Sequence, residues 1–262
     1  MKIKILGCGP SYGIPTARFG YGQCNPNNPK NTRTRACLWL EDKNTRILFD
    51  TPPELREQLY RSQVTDVDTI IWTHMHADHV MGIDDARIFT RSTPSNTAEV
   101  KPLPVYIAEN DIVEFETRFS LYLKPFTYIG QTQAPFKAHL MYPMQPLAIK
   151  NLTLLPIEQK HGTSKTMGFK IGPDVAYNTD LFDFINYRPE DLRGIKLWIL
   201  GCVSLRPNDK HLWLEKALQW FDIVKPDRLI LTHLGSKMDY DSVTAMLPKG
   251  VELAYDGMEI NL

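Results

Sequence analysis

The stretch Thr69-Ile70-Ile71-Trp72-Thr73-His74-Met75-His76-Ala77-Asp78-His79 decides how this chain is read. Its first four residues are an apolar, β-branched run of the kind that makes a buried strand. The run delivers its C-terminal end into a segment holding three of the chain's 7 histidines. His74 and His76 stand two apart on extended backbone, so their side chains point the same way. Asp78 and His79 follow where the chain turns, and face the same cavity from another side. Imidazole and carboxylate together suit Zn, Mn or Fe. The alternative is a chance cluster on a solvated loop, against which the position directly after a buried strand argues.

One segment cannot close the shells of two ions, so the rest of the chain must supply more ligands. His161 follows the strand-like run Leu152–Pro156, Asp180 follows Val175–Asn178, and His233 follows Arg228–Leu231. Each stands just past the end of an apolar strand, where loops gather into a site on a β scaffold. Taken singly, each reads more readily as a capping or surface residue; the shared context is what joins them.

Working outward, short β-branched runs recur along the chain. They are Lys2–Leu6, a hairpin of Cys37–Glu41 and Thr45–Phe49, Leu103–Ala108, Met167–Ile171, Lys196–Leu200 and Val251–Ala254. Helical spacing marks Pro53–Arg61, Asn110–Phe119, Asp209–Phe221 and Asp239–Met246. Many short strands with outer helices predict an α/β fold of two sheets packed face to face, with helices outside. The length of 262 residues fits one large domain, residues 1–262. Ser120–Pro146, rich in Pro, Tyr, Phe and Gln with weak periodicity, reads either as a functional loop or lid or as a packed surface excursion.

Lys and Arg number 30 and Asp and Glu number 30, so the chain lacks the basic excess that a general grip on nucleic acid needs. No apolar run reaches the ~18 residues that span a bilayer. The apolar start is too short for a signal-peptide core, so a cytoplasmic location is expected. Cys8, Cys24, Cys37 and Cys202 contain no paired CxxC and read as free thiols.

The series His74-x-His76-x-Asp78-His79, His161, Asp180 and His233 resembles the metallo-β-lactamase superfamily. The likeness is to its PhnP-like branch of cyclic-phosphate phosphodiesterases and, at greater distance, to the tRNA 3′-processing endonucleases. Gly7-Cys8-Gly9-Pro10-Ser11-Tyr12-Gly13-Ile14-Pro15, Arg33-Thr34-Arg35, Leu48-Phe49-Asp50 and the ending Asp256-Gly257-Met258-Glu259-Ile260 extend it over nearly the whole chain. The resemblance implies a four-layer αββα sandwich holding two divalent metal ions, Mn or Zn. His74, His76 and His161 would hold one ion, Asp78, His79 and His233 the other, with Asp180 bridging. Asp180 stands where the lactamases use a thiolate, which speaks for phosphodiester chemistry and harder metals.

His211, in Asn208-Asp209-Lys210-His211 at the expected start of a helix, resembles the catalytic histidine of the phosphodiesterases. It would protonate the leaving oxygen or bind phosphate; the plainer reading is a helix-capping surface residue. Asp78 is counted with His211 as catalytic. Asp50 is expected to orient a metal-bound histidine. The glycines at positions 7, 9 and 13 match neither GxGxxG nor a P-loop and read as tight turns. His139 reads as structural or surface. The PhnP-like enzymes carry a further structural zinc site, of which this chain retains only Cys24, with Ser236 where a second histidine would fall. One soft ligand cannot hold zinc, so that site is expected to be missing.

The expected function is hydrolysis of a small cyclic or nucleotide-like phosphodiester, of the phosphoribosyl cyclic phosphate kind, through a metal-bridging hydroxide. The alternatives are an endonuclease related to tRNA 3′ processing, and hydrolysis of a carboxyl ester, lactone or thioester. The expected partner is the small phosphodiester substrate, with no membrane; nucleic acid is not favoured, and a homodimer remains open.

Overall fold

The computed structural model describes residues 1–90, 100–127 and 132–262. A first sheet is built from β1 (Lys2–Gly7), β2 (Cys37–Asp42), β3 (Thr45–Phe49), β4 (Thr69–Ile71), β5 (Leu103–Ala108) and β6 (Phe136–Met141). A second holds β7 (Leu147–Ile149), β8 (Leu152–His161), β9 (Ser164–Ile171), β10 (Val175–Asn178), β11 (Asp183–Phe184), β12 (Leu197–Gly201), β13 (Arg228–Thr232) and β14 (Val251–Leu253). The last strand, β15 (Met258–Asn261), returns to the first sheet beside β1. The strand orders are β15-β1-β2-β3-β4-β5-β6 and β11-β8-β9-β10-β12-β13-β14, with β7 on β8.

The helices are α1 (Leu55–Arg61), α2 (Ala77–Val80), α3 (Ile83–Ala86), α4 (Ile112–Phe119), α5 (Leu214–Val224) and α6 (Tyr240–Thr244). The period-2 alternation of the strands sorts their side chains into three cores. Leu38 and Leu40 of β2 face inward with Phe49, and meet Leu154, Phe169, Tyr177 and Ile199 of the second sheet. Cys37 and Trp39 of the same strand face outward, into a core shared with α1, α3 and α4. Trp198 and Leu200 of β12 point the other way, against Ala217, Trp220 and Val224 of α5 and Val243 of α6. The result is a four-layer α/β/β/α sandwich.

Two expectations need correcting. The segment Ser120–Pro146 is not irregular throughout: Phe136–Met141 forms β6, paired in parallel with β5. As an edge strand with both ends buried and its middle largely exposed, it lacks the alternation that marks a half-buried strand. His139 lies on it and stacks on Tyr106 with ring centroids 5.2 Å apart. Residues 128–131 of that segment lie outside the described residues. The helix expected over Asp209–Phe221 begins only at Leu214 and runs to Val224. His211 therefore stands in the loop ahead of it. There the Asn208 side chain accepts hydrogen bonds from the backbone N–H of Lys210 and of His211, bending the chain into a turn that competes with helix. No helix among the described residues is long and apolar enough to cross a membrane.

Candidate metal centre

The site lies at one end of the sandwich. β4 leads into His74 and His76, and the short α2 carries Asp78 and His79. From the second sheet, His161 is the last residue of β8, Asp180 follows β10, the loop after β12 carries His211, and His233 follows β13. The two sheets are stitched together here, where Met167 N–H of β9 donates to the Thr73 carbonyl. Asp50, Asp180 and His233 all have left-handed backbone, with φ of 67°, 48° and 55°. Such conformations cost of order 1–3 kcal/mol each and cluster where surrounding structure enforces a functional geometry.

Ligand-capable atoms converge in four groups, in each of which all lie within 4.8 Å of one another: His74, His76 and His161; His74, His79 and Asp180; Asp78, His79 and His233; and His161, Asp180 and His211. Asp180 stands at the middle. Its Oδ2 is 3.1 Å from His79 Nε2, and its Oδ1 is 3.3 Å from His233 Nε2, 3.7 Å from His211 Nδ1 and 3.8 Å from His161 Nε2. All seven sequence-derived ligand candidates and His211 thus meet in one place.

The outer nitrogens of several of these rings are already engaged. Asp50, fully buried, accepts from His79 Nδ1 at 2.7 Å and from Thr73 N–H and hydroxyl at 2.7 and 2.9 Å. His161 Nδ1–H donates to the Lys210 carbonyl at 3.1 Å, leaving Nε2 for the cavity. His79 Nε2 and His233 Nε2 are buried with no hydrogen-bond partner. Orphaned buried nitrogens beside carboxylates are what a divalent cation would satisfy, and the donor set suits one.

The electrostatics agree with that reading. Burial alone would raise Asp180 and Asp78, yet the His233 and His79 rings hold both carboxyls below their ordinary range. Burial disfavours a charge on His79, but Asp180 and Asp50 outweigh it and raise its pKa well above that of a free imidazole. His211 feels the opposite balance: burial, only partly opposed by Asp180, pushes it down to about 3, so the ring is neutral near pH 7.

Several partners of the site were not apparent in the sequence. Arg118 of α4 donates to the Met75 carbonyl and pairs with Glu114, gripping the histidine segment from outside. Thr73 and Thr179 orient Asp50 and Asp180. Beside the loops of His211 and His233 opens a cavity of about 690 Å³, lined by Arg206, Asn208, Ser236 and Lys237 among others. The Cys24 segment abuts the same region. Gln23 N–H donates to the Ser236 carbonyl, and a Cβ at Gly22 would come within 2.7 Å of Ser236 Cβ. Hydrogen bonds fasten it there: Asp239 accepts from Asn25 N–H and Asn31 Nδ2, and Arg33 donates to the Met238 carbonyl.

Known proteins resemble this chain in structure or in sequence. A diphosphatase of the PhnP family superposes with a TM-score of 0.86 at 26% identity, covering 100% of this chain and 97% of its own. An octanoyltransferase of Porphyromonas gingivalis is 27% identical over 262 residues, 99% of this chain, and the chain spans about half of that protein, 51% of its length. A ribonuclease Z of Listeria monocytogenes is 35% identical over 67 residues, 25% of this chain and 22% of that protein. The family described as the beta-lactamase superfamily domain matches residues 45–234, and the chain belongs to it, with a metallo-β-lactamase fold of PhnP-like character.

Proposed function

We propose that the chain, working as one domain over residues 1–262, is a phosphodiesterase that uses two divalent cations, Mn or Zn, on a small cyclic or nucleotide-like phosphodiester. The observation that carries this reading is the place of Asp180, whose Oδ2 lies 3.1 Å from His79 and whose Oδ1 lies 3.8 Å from His161, one histidine from each of two ligand groups. His74, His76 and His161 would hold one cation, and Asp78, His79 and His233 the other. When bound, the cations supply Lewis acidity and a water acidic enough to attack near neutral pH.

The chain's own residues do the remaining work. Asp50 and the Lys210 carbonyl hold the rings of His79 and His161 in one orientation. His211 stands against Asp180 at 3.7 Å, placed to hydrogen-bond a phosphate oxygen, and to give a proton to the leaving oxygen once the negative charge of a bound diester favours the protonated ring. Arg206 and Lys237 border the adjoining cavity, form no ion pair among the described residues, and meet no acidic residue in its lining. Two unpaired cations in a chain of net charge zero favour an anionic substrate of limited size.

The test is a panel of cyclic and linear phosphodiesters, with RNA and carboxyl esters and thioesters, against protein purified without chelator and loaded with Mn²⁺ or Zn²⁺. Turnover of small diesters with little salt dependence is expected. Turnover of RNA alone, falling steeply with salt, would mean a nuclease. A second reading, hydrolysis of an acyl ester or thioester, draws on the relative named an octanoyltransferase. That protein is about twice as long, and its acyl chemistry comes to this chain only if the carboxyl esters or thioesters of the panel are turned over.

A further inference from the structure

Behind Asp180 lies a buried polar network that has no part in holding a cation directly. Gln159, Asn178 and Thr179 are 0% exposed and Thr166 is 2% exposed. Asn178 Nδ2 donates to Gln159 Oε1 at 2.7 Å, and Trp198 Nε1 donates to Asn178 Oδ1 at 2.8 Å. Gln159 Nε2 donates both to Thr166 Oγ1 at 2.9 Å and to the Thr179 carbonyl at 3.0 Å. The Thr166 hydroxyl passes its own proton to the Asp180 carbonyl at 3.1 Å, and the Thr179 hydroxyl donates to Asp180 Oδ2 at 2.9 Å.

These bonds end on a few atoms. The carbonyls of Thr179 and Asp180, on either side of a residue with φ of 48°, are each held by a side chain, and so is one carboxylate oxygen. The other oxygen, Oδ1, is left to face His233, His211 and His161. A non-glycine residue in the left-handed region relaxes unless its surroundings prevent it. The network supplies that restraint.

The sheet gives up packing to make room for it. A Cβ on Gly168 of β9 would lie 2.1 Å from Asn178 Nδ2 and 2.2 Å from Gln159 Oε1. An apolar pair in place of the two amides would fill the same space but would leave Trp198 Nε1 and the Thr179 carbonyl without their buried partners, so the network stands or falls as a unit.

We infer that Thr179, backed by Gln159, Asn178 and Thr166, forms a positioning device that sets the Asp180 carboxylate so that its two oxygens serve different cations. The inference rests on the two-cation reading above. Thr179→Val removes the hydroxyl at constant shape, and Thr179→Ser restores it.

The readout is Zn²⁺ affinity by competition with a chromophoric chelator, together with the melting temperature of the cation-free protein. Thr179→Val is expected to weaken the binding of one of two Zn²⁺ ions ~10–100-fold, the usual effect of removing a group that orients a ligand. Its cation-free melting temperature should stay close to that of the wild type, and Thr179→Ser should regain the affinity. If Thr179→Val does not fold, Gln159→Met, which frees the Thr179 carbonyl, carries the same expected loss. Unchanged Zn²⁺ affinity in the folded variant, or an equal loss in Thr179→Ser, overturns the positioning role alone. A wild-type protein that binds no second Zn²⁺ ion overturns the two-cation reading with it.

Discussion

His79 Nδ1 and Asp50 Oδ2 stand 2.7 Å apart with both side chains fully buried, which leaves Nε2 as the ring nitrogen of His79 free for a ligand. The pair joins the end of β3 to α2 across 29 positions of sequence, and Asp50 also holds Thr73 at the exit of β4. Asp50→Asn keeps the volume but weakens the acceptor of that bond. The expected outcome is a folded protein whose affinity for Mn²⁺ or Zn²⁺ falls ~10–100-fold, measured by calorimetric titration. An unchanged affinity would show that the imidazole needs no such partner.

Asp180→Ala should lower both bound metal and turnover. If two cations share this carboxylate, elemental analysis of the loaded protein should fall from near two ions per chain towards one or none, with activity falling in step. A wild-type protein that is fully active with a single ion would refute the shared-carboxylate mechanism.

His211→Ala separates proton donation from phosphate binding. An aryl phosphodiester with an acidic phenol leaves without help, whereas an alkyl or ribose oxygen needs a proton. General-acid help is typically worth ~10²–10⁴-fold, so the variant should slow the alkyl or cyclic ribose diester by about that much and the aryl diester far less. Equal slowing on both means phosphate binding, and no slowing on either returns His211 to a structural role. Both rates must be read as kcat/KM at matched metal occupancy.

Asp239 caps α6 through Ser242 and also holds Asn25 and Asn31, and these hydrogen bonds keep its carboxyl below its ordinary range. Asp239→Ala should destabilise the protein by about 1 kcal/mol or more, as loss of a helix cap does. An acid with a depressed folded pKa stabilises above its unfolded pKa and loses that contribution as pH falls. The gap to wild type in urea unfolding should therefore be full at neutral pH and close below about pH 4. A gap that persists in acid would mean packing and not charge. Cys24→Ser, by contrast, should leave the count of bound metal unchanged; loss of a tightly bound ion there would reveal a cysteine-held site.

Asp111 shows the reverse sign. Burial, with some repulsion from Glu114, pushes its carboxyl up to about 6, and the side chain makes no capping bond to α4. An acid with a raised folded pKa costs stability once ionised, fully above the folded pKa and not at all below the unfolded one. Asp111→Asn should raise the melting temperature at pH 7.5 and leave it unchanged near pH 3.5. A lowered melting temperature at pH 7.5 would show that the carboxylate makes a favourable contact.

Much of the site is legible before folding, because its donors sit in short-range patterns. His74 and His76 share a face because extended backbone has a period of two. His161, Asp180 and His233 are recognisable because each closes an apolar run, and Leu103–Ala108 and Val175–Asn178 are strands with the bounds expected of them. Patterns fail where a segment is only half covered. β6 shows no alternation, since its middle is largely exposed at the sheet's edge, and the start of α5 is displaced because Asn208 offers the backbone a competing turn.

The sequence by itself therefore determined most of the strands and the longer helices, the chemical type of the donors and their place at the ends of strands, all of which depend on neighbours a few residues apart. Only the tertiary structure decided which partners orient them. Thr73 and His79 meet Asp50 across 23 and 29 positions, and Arg118 meets Met75 across 43. Lys210 meets His161 across 49, and Asn31 meets Asp239 across 208. Hydrogen bonds require placement to a few tenths of an ångström. Over such separations that placement follows from strand register, sheet twist and the packing of two sheets against each other, none of which a linear pattern encodes.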